Sequence, residues 1–145
     1  MITMISSGVN ETEAFAERLA KTLKGNEVIA MYGGLGAGKT AFTRGLARGL
    51  GIDDGVSSPT FALVHEYEGA VRLFHFDMYR ISTFDDLYST GFFDYLGEGV
   101  IVIEWTENIE QFLPEERINI RLNVISENQR EIIVEGADSF ENTCN

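Results

Sequence analysis

Apolar residues recur along the chain with two distinct periods, and the stretches that carry them are clearly separated. Phe15, Leu19 and Leu23 stand four apart within residues 10–24 and predict an amphipathic helix. Asn10 and Glu13 have the spacing of a capping box at its start, and Gly25 ends it. Glu27 to Tyr32 predicts a short, mostly apolar strand that runs into a glycine-rich segment. A second helix is expected from Lys39 to Leu50, with Phe42, Leu46 and Leu50 on one side and Gly51 placed to stop it. Thr60–Tyr67 and Val71–Phe76 pattern as two strands around a tight turn at Glu68–Gly69. A helix should begin near Ser82 or Thr83, with Asp85 and Asp86 in the turn where the helix dipole favours acids. Val100 to Ile103 is an uninterrupted apolar run, the signature of a strand buried on both faces. Arg117–Ile125 and Gln129–Glu135 alternate around Glu127–Asn128 as a closing hairpin, and the residues from about 136 onward pattern as a polar, frayed tail. The sum is one α/β domain whose central sheet is mixed and flanked by helices.

Composition narrows the classes of function. The 145 residues suit one core, and an apolar fraction of 44% with 23% charged residues is ordinary for a globular protein. Eleven basic residues against 23 acidic ones leave a formal charge of −12. Such a surface repels phosphate backbones, so no direct binding of RNA or DNA is expected unless a basic partner supplies it. The single cysteine, Cys144, forms no intrachain disulfide and suits a reducing compartment. Residues 1–8 lack the basic-then-apolar pattern of a leader, and Val100–Ile103 is too short to span a bilayer. A cytoplasmic protein without a membrane partner is expected.

The glycine-rich segment carries the chemistry. Gly33-Gly34-Leu35-Gly36-Ala37-Gly38-Lys39-Thr40 fits G-x-x-x-x-G-K-[ST] without a mismatch, which chance supplies in a chain of this length on the order of one time in a hundred. A strand leads in and a helix leads out, as a phosphate-binding loop requires. Glycines let successive backbone N–H groups turn inward around phosphates, and the helix start adds its positive end. Lys39 is expected to reach the β and γ phosphates and the Thr40 hydroxyl to bind Mg²⁺. This makes the chain a single P-loop NTPase domain.

Binding alone is not turnover, which needs acids at neighbouring strand ends. Asp77 follows one predicted strand and Glu104 another, so both belong to the carboxyl edge of the sheet, where ligands bind in such folds. One acid would hold Mg²⁺ through water while the other orients the attacking water. Lys39, Asp77 and Glu104 are the candidate catalytic residues, and Thr40, Asp77 and Glu104 the candidate metal ligands. In the loop Ser57-Ser58-Pro59-Thr60, the Thr60 hydroxyl is suited to sensing a γ-phosphate, although an ordinary turn is the simpler account of the composition taken alone. His65 and His75 read as half-buried strand histidines that lack the further ligands of a zinc site. Trp105 reads as a large core or interface residue, and Arg80 as either a phosphate contact or a surface ion-pair partner.

Several ordered motifs together resemble the TsaE family. They are the P-loop, Phe-x-Arg-Gly at 42–45, Ser-Pro-Thr-Phe at 58–61 with Leu63-Val64 and Glu66-Tyr67, His75-Phe76-Asp77-Met78-Tyr79-Arg80, and Glu104-Trp105. The similarity runs from about Thr12 to Arg130. The resemblance implies ATP as the nucleotide and a role in bacterial tRNA threonylcarbamoyladenosine biosynthesis. It also implies partnership with the TsaB–TsaD pair, which modifies the adenosine beside the anticodon and which ATP hydrolysis would reset. By resemblance Thr40 and Glu104 match magnesium-site positions, Asp77 the Walker B-like acid, and Thr12 and Arg130 peripheral nucleotide contacts. The nucleotide set implied is therefore Thr12, Gly33, Leu35, Gly36, Ala37, Gly38, Lys39, Thr40, Ala41, Thr60 and Arg130. Two departures stand out: Gly34 replaces a commonly acidic or amide residue, and Ala41 a common second Thr.

Two other readings use the same loop. A small-molecule kinase needs an acceptor site and usually an arginine-rich lid, and no arginine-rich insertion follows Arg80. A guanine-nucleotide switch needs Asn-Lys-x-Asp, and no lysine occurs after Lys39.

Overall fold

The computed structural model describes residues 1–34, 36–52 and 63–143. Its centre is a seven-stranded sheet built from β1 (Ile2–Ser6), β2 (Val28–Tyr32), β3 (Val64–Tyr67), β4 (Leu73–Asp77), β5 (Val100–Glu104), β6 (Ile118–Val124) and β7 (Arg130–Glu135). The spatial order is β1-β7-β6-β2-β5-β4-β3. The four inner strands β6, β2, β5 and β4 run parallel, and β7, β1 and β3 add antiparallel edges. The sheet is therefore mixed, as the patterning implies.

Helices α1 (Val9–Ala20) and α2 (Lys39–Gly49) cover one face, while α3 (Phe84–Ser89) and α4 (Phe92–Tyr95) serve the other. Alternation within the buried strands sorts side chains between the two layers. Ile29, Met31, Val100 and Val102 join Phe15, Leu19, Phe42 and Leu46; Ala30, Tyr32, Ile101 and Ile103 join Phe74, Phe76, Leu87 and Phe92. No helix among the described residues is long and apolar enough to cross a membrane.

Close approach of α1 and α2 depends on two glycines one turn apart. A Cβ on Gly45 would lie 2.2 Å from the Glu13 carbonyl oxygen, and one on Gly49 would lie 2.6 Å from both the Glu17 carbonyl oxygen and the Ala20 Cβ. Glu13 then bridges the pair, accepting from Arg44 at 3.2 Å and Arg48 at 3.4 Å, and Arg48 also reaches Glu17 at 3.4 Å.

The structure departs from the sequence reading at several points, and α1 ends at Ala20 where a helix through residue 24 was expected. The capping box does not form: α1 starts one residue before Asn10, at Val9, after Gly8, with no side-chain cap, and Glu13 is spent on the arginines of α2. The opening segment is a strand, because Ile2 to Ser6 pairs with Val134 to Arg130. The expected polar tail forms α5 (Asp138–Thr143), held by the fully buried ring of Phe140, which meets Phe15 edge-on at 5.3 Å. The expected strand from Thr60 is seen from Val64; residues 60–62 lie outside the described ones.

Candidate functional site

Strand β2 ends at Tyr32, and the chain turns sharply at once. Gly33 has φ +153°, and a Cβ there would stand 2.8 Å from the Leu122 carbonyl oxygen on β6. Gly36 and Gly38 are left-handed at φ +77° and +99°, and a Cβ on either would meet nothing within 4 Å. Open space lined by left-handed glycines is the form of a backbone cradle for anions. Gly38 is the N-cap of α2 and has no side chain to cap it, so the helix start keeps free N–H groups facing the loop. Lys39 and Thr40 follow as the first two residues of α2.

Parallel pairing of β4 with β5 sets Asp77 directly opposite Glu104, at the same edge as the loop. Glu104 is buried and Asp77 half-buried. The Oε1 of Glu104 lies 3.9 Å from the Nζ of Lys39, and its Oε2 is 2.6 Å from Nε2 of His75. Burial alone pushes the Glu104 carboxyl up, but the His75 hydrogen bond and attraction, with the Lys39 ammonium, hold it below its ordinary value. An ionised carboxylate only accepts, so His75 donates from Nε2. One oxygen of Asp77 accepts from the Tyr79 N–H at 2.9 Å.

The segment after β5 is tied down on both sides. The buried Thr106 hydroxyl donates to the Met31 carbonyl at 2.9 Å, and Asn108 donates to the carbonyls of Met78 and Tyr79. Just before them Trp105 takes φ 62°, the one left-handed non-glycine among the described residues. A bulky residue there is strained, and strain of this kind gathers at functional sites. Its ring lies 5.2 Å from the Lys39 ammonium and packs edge-on against Tyr79.

The structure brings together Gly33, Gly36, Ala37, Gly38, Lys39, Glu104 and, beside Glu104, Asp77. Arg130 joins them from β7, donating from Nε to the Gly36 carbonyl at 3.2 Å. Ala41 is buried in the first turn of α2 and Thr40 half-buried. Thr12 is buried on α1, where its hydroxyl shares a 2.7 Å hydrogen bond with Ser6. Leu35 and Thr60 lie outside the described residues. Sequence reasoning missed two members. His75 is completely buried, not half-buried, and Trp105 is a neighbour of the loop lysine. A signal existed for the first: in His75-Phe76-Asp77 the histidine and the acid share one face of β4.

The profile of a family described as "Threonylcarbamoyl adenosine biosynthesis protein TsaE" matches residues 6–132. The chain belongs to the TsaE family. Relatives carrying the name tRNA threonylcarbamoyladenosine biosynthesis protein TsaE include one from Bacillus subtilis, 43% identical over 124 residues, covering 84% of this chain and 77% of that one. Another, from Treponema pallidum, is 38% identical over 131 residues and covers 90% of this chain and 97% of its own. Among solved structures, the crystal structure of Bacillus subtilis YdiB superposes with a TM-score of 0.74 at 34% identity, covering 99% of this chain and 90% of that chain. The family match covers the domain from the end of β1 into β7, and the likeness to the solved structure extends over nearly the whole chain.

The donors at this edge fit the Mg²⁺ expected from the sequence. A hydroxyl at Thr40 and carboxylates at Asp77 and Glu104 are hard oxygen donors, suited to Mg²⁺ that keeps several waters. Among the described residues, no three His, Cys, Asp or Glu side chains gather in a group that could hold a metal ion.

Proposed function

We propose that this TsaE-family chain is a Mg²⁺-dependent ATPase that works with TsaB and TsaD in the cytoplasm to support threonylcarbamoyladenosine modification of tRNA. The observation that carries the reading is the buried Lys39, set at the start of α2 with its Nζ 3.9 Å from Glu104, beside a loop where left-handed Gly36 and Gly38 leave open space. Lys39 and the loop N–H groups would bind the β and γ phosphates, with the α2 dipole adding to the attraction. Thr40, Asp77 and Glu104 would hold Mg²⁺, which when bound would neutralise charge on the phosphates. Glu104, the more buried acid, is suited to orienting the attacking water. Arg130 restrains the loop through Gly36, and Thr12 sits on the helix packed beside α2.

An acidic chain of charge −12 supports leaving tRNA contact to its partners. One small domain also leaves little protein to close the site, so turnover in isolation should be slow. A residue supplied in trans raises P-loop rates by about 10³ to 10⁵ in other systems. ATP turnover measured with and without TsaB and TsaD, alongside ATP against GTP competition, tests the reading. Absence of ATP binding removes it, and equal rates with and without the partners remove the activation.

A further inference from the structure

The two oxygens of Glu104 face different partners. Oε2 is held by His75 at 2.6 Å, whereas Oε1 stops 3.9 Å short of the Lys39 ammonium. A closed Lys–carboxylate ion pair is about 1 Å shorter than that. Both side chains are buried, where opposite charges attract far more strongly than in water. Closure would occupy the very ammonium that a phosphate must take. Something has to oppose it, and His75 is the carboxylate's nearest hydrogen-bond donor.

His75 has no packing reason to be polar. It lies on β4 with Leu73, Phe74 and Phe76, all buried and apolar, and is itself fully buried. Its Nδ1 has no hydrogen-bond partner among the described residues, so Glu104 is the one polar contact that answers for the cost of burying the ring. The contact is diagonal across the sheet: His75 pairs in register with Val102, two residues before Glu104 on the same face. His75 therefore pulls the carboxylate along β5 and toward β4.

We propose that His75 is a positioning residue that holds Glu104 back from Lys39 and keeps the loop ammonium available to phosphate. The inference rests on the ATP reading above and adds to it a reason for the histidine. Removing the donor lets Glu104 close on Lys39, so nucleotide affinity falls before any chemistry occurs.

The test is ATP affinity by calorimetry in EDTA, where metal contacts do not enter, or at fixed Mg²⁺ where binding requires the ion. Circular dichroism and thermal unfolding check the fold of each variant. His75→Leu should weaken ATP binding tenfold or more. His75→Gln, which keeps a donor near the Nε2 position, should stay within threefold of the wild type. Adding Glu104→Gln to His75→Leu should return affinity to within threefold of Glu104→Gln alone, because no charge remains to capture Lys39. The chain's single tryptophan gives a second readout: Trp105 emission in the ligand-free protein should shift in His75→Leu and return in the double variant. If His75→Leu does not fold, His75→Asn, too short to reach Oε2, is read in the same two backgrounds. Wild-type affinity in the folded single variant overturns the inference and leaves the ATP reading standing. Weak binding that Glu104→Gln fails to restore also overturns it, since His75 would then act through packing. A wild-type chain that binds no ATP under either condition removes both.

Discussion

Asp77 and Glu104 are register partners on adjacent parallel strands, yet their carboxylates meet different surroundings. Glu104 is buried between His75 and Lys39; Asp77 is half-buried and gives one oxygen to the Tyr79 N–H. The same strand edge therefore offers one rigid, poorly hydrated acid and one with access to water.

That contrast predicts separate kinetic effects. Glu104→Gln should bind ATP but hydrolyse it at least tenfold more slowly, a barrier increase of about 1.4 kcal/mol or more. Asp77→Asn should weaken Mg²⁺-dependent ATP affinity as well as turnover, because a water-mediated metal contact is already made in the ground state. Both are checked by turnover and affinity at several Mg²⁺ concentrations. Wild-type turnover in Glu104→Gln would make that residue structural.

Lys39→Ala should nearly abolish ATP binding, since the loop loses its one fixed positive charge among the glycines. Thr40→Ala should retain part of the affinity and lose the dependence of hydrolysis on Mg²⁺. Calorimetry decides the first and a magnesium titration of the rate decides the second.

Acid should reveal the Glu104 pairing in stability. Its folded-state pKa lies below the ordinary one, so its ionised form stabilises the fold fully above the unfolded value. That contribution disappears as pH falls through the folded value. Urea unfolding of wild type and Glu104→Gln should therefore differ most near neutral pH and converge below the carboxylate range of about 4. A gap that widens in acid would contradict the assignment.

Gly45→Ala should destabilise the domain by about 1–3 kcal/mol or more, the cost typical of overpacking. The added Cβ would lie 2.2 Å from the Glu13 carbonyl oxygen and 2.8 Å from its Cα, and backbone cannot rotate away as a side chain can. The midpoint of thermal unfolding measures it, with Gly34→Ala, which meets nothing within 4 Å, as the control.

Local signals made much of this legible. The apolar run Val100–Ile103 and the loop from Gly33 to Thr40 carry their own spacing, and β5, β2 and α2 formed where that spacing put them. Elements held by partners distant in sequence were not legible. Ile2–Ser6 has mostly exposed or half-exposed side chains and is a strand only because β7 pairs with it. Helix α5 is polar apart from Phe140, whose partner ring, Phe15, is far away in the chain. His75 and Glu104 are each ordinary strand residues in isolation, and their meeting depends on the register of β4 against β5.

The pairing of β1 with β7 also sets an order of events during synthesis. Strand β1 leaves the ribosome before the other strands of the sheet but has no strand to join until Val134 follows, after those strands have been made. Loop closure over such a separation is entropically costly and slow. Until then β1 is an unpaired edge able to join other chains. Arg130, which reaches Gly36 of the phosphate loop, arrives in the same late step. A nascent chain arrested before residue 130 would thus expose a sticky N-terminal ribbon while its nucleotide loop still lacked this restraint.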